Sequence, residues 1–156
     1  MSKFTGANVR DITKIKNSDV FIKVDLTVVG MVSVPQSIID NGDALPLGTL
    51  LSSRDGGLTW TSLTAPIYET GVYVADKEVY HEGHIFKSTV ADNSTVPGVG
   101  DWDDLGVWDS NGVLYNDLTE SKKTTIVVTG SVKEKYLHGS DEFLRTTLFK
   151  NKIIAK

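Results

Sequence analysis

The stretch that decides the fold is "VFIKVDLTVV", residues 20–29, in which apolar side chains recur at every second position. The alternation gives two rows of side chains: Val20, Ile22, Val24, Leu26 and Val28 on one side, and Phe21, Lys23, Asp25 and Thr27 on the other. Successive side chains of a strand point to opposite faces, so a period of two is typical of a β-strand.

Further short strand patterns follow this stretch along the chain. The segments "TLLSS" (49–53) and "LTWTSL" (58–63) predict two strands, and the "RDGG" between them (54–57) predicts a turn. The segment "TTIVVTGSV" (124–132) is rich in β-branched residues and predicts a buried strand that bends or turns at Gly130. The chain is therefore expected to be mainly β.

The C-terminal segment "GSDEFLRTTLFKNKIIAK" (139–156) has a different pattern and predicts one short helix. Ser140 can cap the helix, and the two acidic residues after it favour the positive end of the helix dipole. The apolar residues expected on its buried face are Phe143, Leu144, Leu148 and Phe149. Ile153 and Ile154 predict a final extended segment.

The composition limits the classes of protein to be considered. The chain has 156 residues, 40% of them hydrophobic and 23% charged, as expected for one or two small globular domains. There is no cysteine, so disulfides, thiolate metal sites and cysteine nucleophiles are excluded. No apolar run approaches the roughly 20 residues that cross a bilayer, and the first ten residues lack a secretory apolar stretch. We therefore expect no membrane partner and a protein that stays where it is made.

The charges are distributed unevenly along the chain. Residues 1–19, here called the arm, carry four basic and two acidic side chains and show no convincing period, which predicts a flexible segment. Residues 66–106, here called the insert, carry eight acidic and two basic side chains. The net charge of the whole chain is -4, which argues against nucleic acid as a partner, because phosphate binding requires a concentrated basic surface.

The remaining residues, 20–65 and 107–156, here called the stem, resemble a known family. A "GTL" element at 48–50 is followed by a "GVL" element at 112–114 with acidic residues after it, and then by a hydrophobic strand ending in Gly130. This order resembles the head decoration, or capsid cement, proteins of tailed phages, of the lambda decoration-protein type. The whole insert departs from that pattern.

The resemblance implies a small β-rich protein that forms homotrimers on the outside of the expanded phage head and stabilises it. Its partners would be the major capsid protein and its own copies, and its location would be the outer capsid surface after synthesis in the host cytoplasm. An arm that pairs with a coat strand would bind by β-augmentation. The capsid-binding residues expected in the arm are Phe4, Val9, Arg10, Ile12, Lys14 and Ile15.

The insert resembles the small chitin-binding-type carbohydrate modules. The residues that match their pattern are Tyr73, Val79, Tyr80, Gly83, Phe86, Ser88, Asn93, Pro97 and Trp102. In so small a module the large aromatics are needed as core, so Tyr80, Phe86 and Trp102 are predicted to pack together. In the chitin-binding relatives, sugar rings stack on exposed aromatics after the second strand, where this chain has Thr89, Val90 and Ala91.

Three other aromatic residues could supply a different sugar platform, and they are Tyr68, Tyr73 and Trp108. A surface glycan is therefore a possible partner. The segment "YHEGH" (80–84) and the cluster of Asp101, Asp103 and Asp104 contain side chains that can bind metals, but their spacing favours a solvated turn and surface charge. We predict no metal and no cofactor.

Catalysis needs a nucleophile with a base, paired carboxylates in a cleft, or a metal. The sequence contains neither a G-x-S-x-G elbow nor a phosphate-binding glycine loop, and His138 stands alone, so no enzyme activity is expected.

Two hypotheses about function follow. The first is a structural capsid decoration protein with an outward-projecting insert; the alternative is a glycan-binding module of a phage fibre or tail appendage.

Overall fold

The computed structural model describes residues 15–138, 144 and 148–156, and it confirms a mainly β fold with short helical segments. The helical segments before the C-terminal part are α1 (Asn17–Val20), α2 (Gln36–Asp40) and a 3-10 turn (Glu134–Tyr136). The strands of the described residues are β1 (Phe21–Ser33), β2 (Leu50–Ser52), β3 (Thr59–Ser62), β4 (Glu78–His81), β5 (His84–Ser88), β6 (Trp102–Val107), β7 (Gly112–Leu114), β8 (Lys122–Val132) and β9 (Ile153–Ala155).

The stem strands form a sheet that closes on itself. Its order is β1-β3-β2-β7-β8, and β8 pairs again with β1, so five strands complete a ring. Antiparallel pairing of β1 with β8 runs from Phe21 opposite Val132 to Val32 opposite Lys122, while β1 and β3 are parallel over only three residue pairs. β9 pairs with β8 beyond the ring. The predicted strands at residues 20–29, 49–53, 58–63 and 124–132 all lie in this sheet.

The interior of the ring is one hydrophobic cluster to which every strand contributes. Val32, Leu51, Trp60, Leu114 and Ile126 come from β1, β2, β3, β7 and β8 respectively, and all are buried. Inward-facing side chains fill a small closed sheet of this kind, since its interior is only wide enough for them. The ring is therefore a packed core and not a channel.

The bulky Trp60 side chain determines which residues fit around it in this core. A Cβ on Gly30 would lie 2.5 Å from the Trp60 Nε1, and one on Gly112 would lie 2.6 Å from the Trp60 Cζ3. The indole N–H donates to the Gly57 carbonyl at 2.9 Å. The glycines of β1 and β7 thus make the room that the indole occupies, since a side chain at either position would overpack the core.

A second cluster covers the outer face of the sheet next to β8. Val113, Val127 and Ile153 face it from the strands, and Leu144 and Leu148 of the C-terminal helical segment are fully buried against them. The predicted helix face is wrong at one position, because Phe149 is 67% exposed. Leu144 and Leu148 are four residues apart and share one face, whereas a residue adjacent to Leu148 points about 100° away from it. Phe143 and Ser140 lie outside the described residues.

The folded body begins earlier than the boundary expected at residue 19. Val20 is fully buried in the second cluster, and its carbonyl accepts a hydrogen bond from the Lys133 N–H at 2.8 Å. Asn17 donates its side-chain N–H to the Tyr115 carbonyl at 2.9 Å. Residues 17–19, which the sequence assigns to the arm, therefore belong to the stem.

The apolar row of β1 is not buried over its whole length. Val28 and Val32 reach the interior of the ring, but Ile22, Val24 and Leu26 are 50, 39 and 55% exposed. The register between β1 and β8 is irregular here, and the shifts bend the strand pair. Alternating strands usually bury their apolar row, so this segment differs from the usual case.

The carboxylate of Asp55 stabilises the turn between β2 and β3 through hydrogen bonds. Asp55 accepts hydrogen bonds from the Thr59 hydroxyl, from the Thr59 and Leu58 N–H groups at 2.9 and 3.1 Å, and from the Ser53 hydroxyl at 2.9 Å. These bonds, those from Thr59 above all, lower the pKa of Asp55 to about 2. Gly56 and Gly57 adopt positive φ, as the predicted "RDGG" turn requires.

The lowered pKa predicts a stability loss in acid that depends on Asp55. Because the folded pKa lies below the ordinary 3.8, the contribution of the carboxylate is complete above about pH 5 and is lost as the pH falls towards 2. In urea unfolding, Asp55→Asn should therefore be less stable than wild type at pH 5, and the difference should shrink at pH 2.5. Asp43→Asn, which removes another exposed carboxylate, is the control. A difference that does not change with pH would contradict the prediction.

Candidate functional site

The insert is built on a separate three-stranded antiparallel sheet of order β4-β5-β6. Its core consists of Val79, Phe86 and Trp102, all buried, with Tyr68 and Tyr73 packed against them. The Trp102 indole N–H donates to the Thr95 carbonyl at 2.9 Å. Phe86 and Trp102 thus lie together in the place that the sequence assigned to the core of the insert.

The long loop between β5 and β6 is organised by the buried Asn93. Its side-chain N–H group donates to the Ser88 hydroxyl at 3.0 Å and to the Asp101 carbonyl at 2.7 Å. Its side-chain oxygen accepts from the Thr95 N–H at 3.0 Å and from the Thr95 hydroxyl at 2.7 Å. Buried polar groups must be paired in this way, so Asn93 has a structural role in the loop.

Tyr80 does not belong to the insert core, which corrects the sequence prediction. It is fully buried in the second stem cluster, on the opposite side of β4 from Val79. Its ring meets the Trp108 ring edge to face at 6.4 Å. Tyr80 and Trp108 therefore join the insert to the stem.

Because this contact buries Trp108, a sugar cannot reach its ring, and Trp108 does not belong to the candidate sugar platform. Its side chain is only 7% exposed and packs within the cluster that contains Leu50 and Val113. A ring that stacks on a sugar must present an open face to solvent. The expectation of a glycan-facing Trp108 is therefore wrong.

Tyr68 and Tyr73 remain as partly exposed aromatics on the insert. Their ring centroids are 5.7 Å apart, and both rings contact Trp102 from above the core. The Tyr73 hydroxyl donates to the Glu69 carbonyl at 2.7 Å and accepts from the Glu69 N–H at 3.1 Å, which fixes the ring. A shallow groove lined by Pro66, Ile67 and other residues runs beside Tyr73. This pair is the best candidate for a stacking surface.

The loop that would carry the usual sugar-binding rings has none. Thr89, Val90 and Ala91 are all exposed, Val90 at 38%. Small side chains in this position leave the loop without an aromatic face.

The histidines of the β4–β5 hairpin form contacts within the insert. His84 Nδ1 lies 2.9 Å from Asp104 Oδ2, and its ring stacks on Phe86 at 5.9 Å. The backbone N–H of Gly106 and then His84 lower the pKa of Asp104. Among the described residues, no three His, Cys, Asp or Glu side chains are grouped as a metal site. His84 and Asp104 are 20 positions apart, so the sequence gives no signal of their pairing.

Most of the predicted capsid-binding residues lie outside the described part of the chain: Phe4, Val9, Arg10, Ile12 and Lys14. Ile15 is described, is 44% exposed, and lines a surface cavity of about 270 Å³ with Val20 and Pro46. In the part of the chain that the structure describes, no helix is long and apolar enough to cross a membrane.

Comparison of the chain with protein-family models, with curated proteins and with solved structures gives no match.

Proposed function

We propose that this chain is a structural capsid decoration protein. In this proposal the stem binds the outside of an expanded phage head as a homotrimer, and the arm contacts the major capsid protein. The acidic insert points away from the shell. No catalytic activity is assigned to the chain.

One observation carries most of the support. The three motifs that resemble the decoration family lie in or directly before strands that are neighbours in the ring, although more than 60 residues separate the first two. Leu50 of β2 is opposite Val113 of β7, and Leu114 of β7 is opposite Ile126 of β8. The motifs thus form one continuous unit, as they must if they belong to a single ancestral stem.

The position of the insert is consistent with this proposal. The chain leaves the stem after β3 and returns at β7, and these two strands flank β2. A module can be added there without breaking the ring. Its excess of six acidic charges favours an outward position, because like-charged exteriors keep particles from associating.

Shell stabilisation tests the function directly. Expanded, undecorated heads from the phage that encodes the chain are heated with and without the purified protein, and coat release is followed by light scattering. The proposal predicts a higher disruption temperature with the protein present. An unchanged temperature at saturating protein would contradict a cement role.

The alternative function, a glycan-binding module of a fibre or tail appendage, depends on Tyr68 and Tyr73. Two adjacent, partly exposed rings provide a stacking area, but the loop at Thr89, Val90 and Ala91 adds no third ring. Such a site would bind neutral sugars weakly and would depend on several copies acting together.

For this reason we predict that the full chain does not bind chitin oligomers. The measurement is a chitin pull-down and a glycan array with the full chain, with Tyr68→Ala as the matched variant. Chitin binding by the wild type that is lost in Tyr68→Ala would favour the glycan function instead. Binding that Tyr68→Ala leaves unchanged would also contradict the prediction and would locate the site elsewhere.

A further inference from the structure

The exposed segment of β1 is the feature of the stem that the proposed function does not use. Residues 22–26 read Ile-Lys-Val-Asp-Leu, and all five are exposed. β1 pairs with β8 along one edge, whereas β3 covers the other edge only from Met31 to Ser33. Among the described residues, the edge at 22–26 therefore has no neighbouring strand. An unpaired, exposed edge of this kind is a template for pairing with another chain.

The order of the side chains in this segment is self-complementary. If a second copy lies antiparallel and is centred on Val24, Ile22 faces Leu26 of the second copy and Val24 faces Val24 of the second copy. Lys23 faces Asp25 of the second copy, and the same contact repeats on the other side of the axis. Opposite charges and apolar pairs directly across strands both stabilise pairing. The segment thus matches the isologous geometry of a two-fold interface.

The geometry of a single copy is compatible with this arrangement. Lys23 Nζ lies 3.1 Å from Asp25 Oδ1, so the two charged side chains share one side of the strand. The Lys23 side chain is largely open to solvent and the Asp25 side chain is partly open, with 71 and 42% exposed respectively. Each of the two side chains can therefore leave its partner in the same chain and bind the oppositely charged residue of a second copy.

Charges on an edge strand usually prevent association. Lys23 and Asp25 therefore disfavour pairing with most other strands. An antiparallel second copy of the segment, however, places an opposite charge across from each of them. We infer that two copies of the chain associate in solution through residues 22–26 of β1, antiparallel and two-fold symmetric. The segment is much smaller than a standard interface, which buries about 800 Å² on each partner, so the dimer should be weak and concentration-dependent.

Charge exchange tests the inference with the whole 156-residue chain. Sedimentation velocity over a range of concentrations is recorded for wild type, Lys23→Asp, Asp25→Lys and an equal mixture of the two variants. In each variant alone, like charges face each other twice, and the dimerisation constant should weaken roughly tenfold or more. In the mixture every charge again faces its opposite, so a heterodimer should form with about the wild-type affinity.

A matched control is Lys77→Asp, which reverses an exposed charge on the insert and should leave the dimer unchanged. Circular dichroism of each variant shows whether it is folded. A wild type that stays monomeric at all concentrations would overturn the inference, as would a mixture that associates no better than its components. If β1 variants weaken only shell binding, the coat protein covers this edge and the inference is equally overturned. The test needs no capsid, so it can fail or succeed independently of the decoration function.

Discussion

Deleting residues 1–14 should abolish binding to expanded shells while leaving the stem folded. The expected loss is roughly hundredfold or more, because the proposed trimer would present three arms whose weak contacts reinforce one another. The truncation keeps Asn17, which is hydrogen-bonded to Tyr115, and the buried Val20, so the stem retains its contacts at this end. Co-sedimentation of wild type and truncated protein with the shells measures the effect.

A variant with a scrambled arm shows whether shell binding depends on the order of the residues in the arm or only on their charge. A chain in which residues 1–14 are shuffled keeps the composition and the net charge but loses the order of the apolar residues. If the arm pairs as a strand with the coat, the scrambled chain should bind almost as poorly as the truncated one. Truncated protein that binds as tightly as wild type would show that attachment lies in the stem.

Trp102→Ala should unfold the insert around its own core, while the ring of the stem, whose interior cluster contains no residue of the insert, stays folded. Removing a buried tryptophan costs about 3–5 kcal/mol, which exceeds what a module of some forty residues can usually spare. Trp102 lies only in the cluster of the insert, with Val79 and Phe86. Limited proteolysis should therefore cut the variant within residues 66–106 and leave the strands of the ring resistant.

Trp108→Ala provides the contrast. Trp108 packs with Tyr80 in the cluster that also contains Leu50 and Val127, so its loss should destabilise the stem as well. Trp102→Phe keeps a ring but loses the hydrogen bond to the Thr95 carbonyl, and it should have an intermediate effect. If Trp102→Ala unfolds the entire chain in one step, the insert is not an independent unit.

The sequence predicts the strands well because their local signals agree with the final sheet. Alternation at residues 20–29 and β-branched residues at 124–132 identify the two long partners β1 and β8. The turn at 54–57 was identifiable because Asp and Gly have specific backbone preferences. These elements follow from neighbouring residues alone.

Features that depend on distant residues were not predictable. Val79 and Tyr80 point to opposite sides of β4, but the sequence does not say which side faces the stem, so the prediction that Tyr80 packs in the core of the insert is wrong. Periodicity likewise identifies an apolar row without saying whether anything covers it, as Ile22 and Leu26 show. The contact of Trp108 with Tyr80 spans 28 positions and has no local signal.

The most direct test of the decoration function is whether the purified full chain co-sediments with expanded, undecorated heads from its own phage. We predict saturable binding, with a copy number per head that is a multiple of three, and little binding to unexpanded heads. Protein that stays in the supernatant at concentrations far above the coat concentration would contradict it.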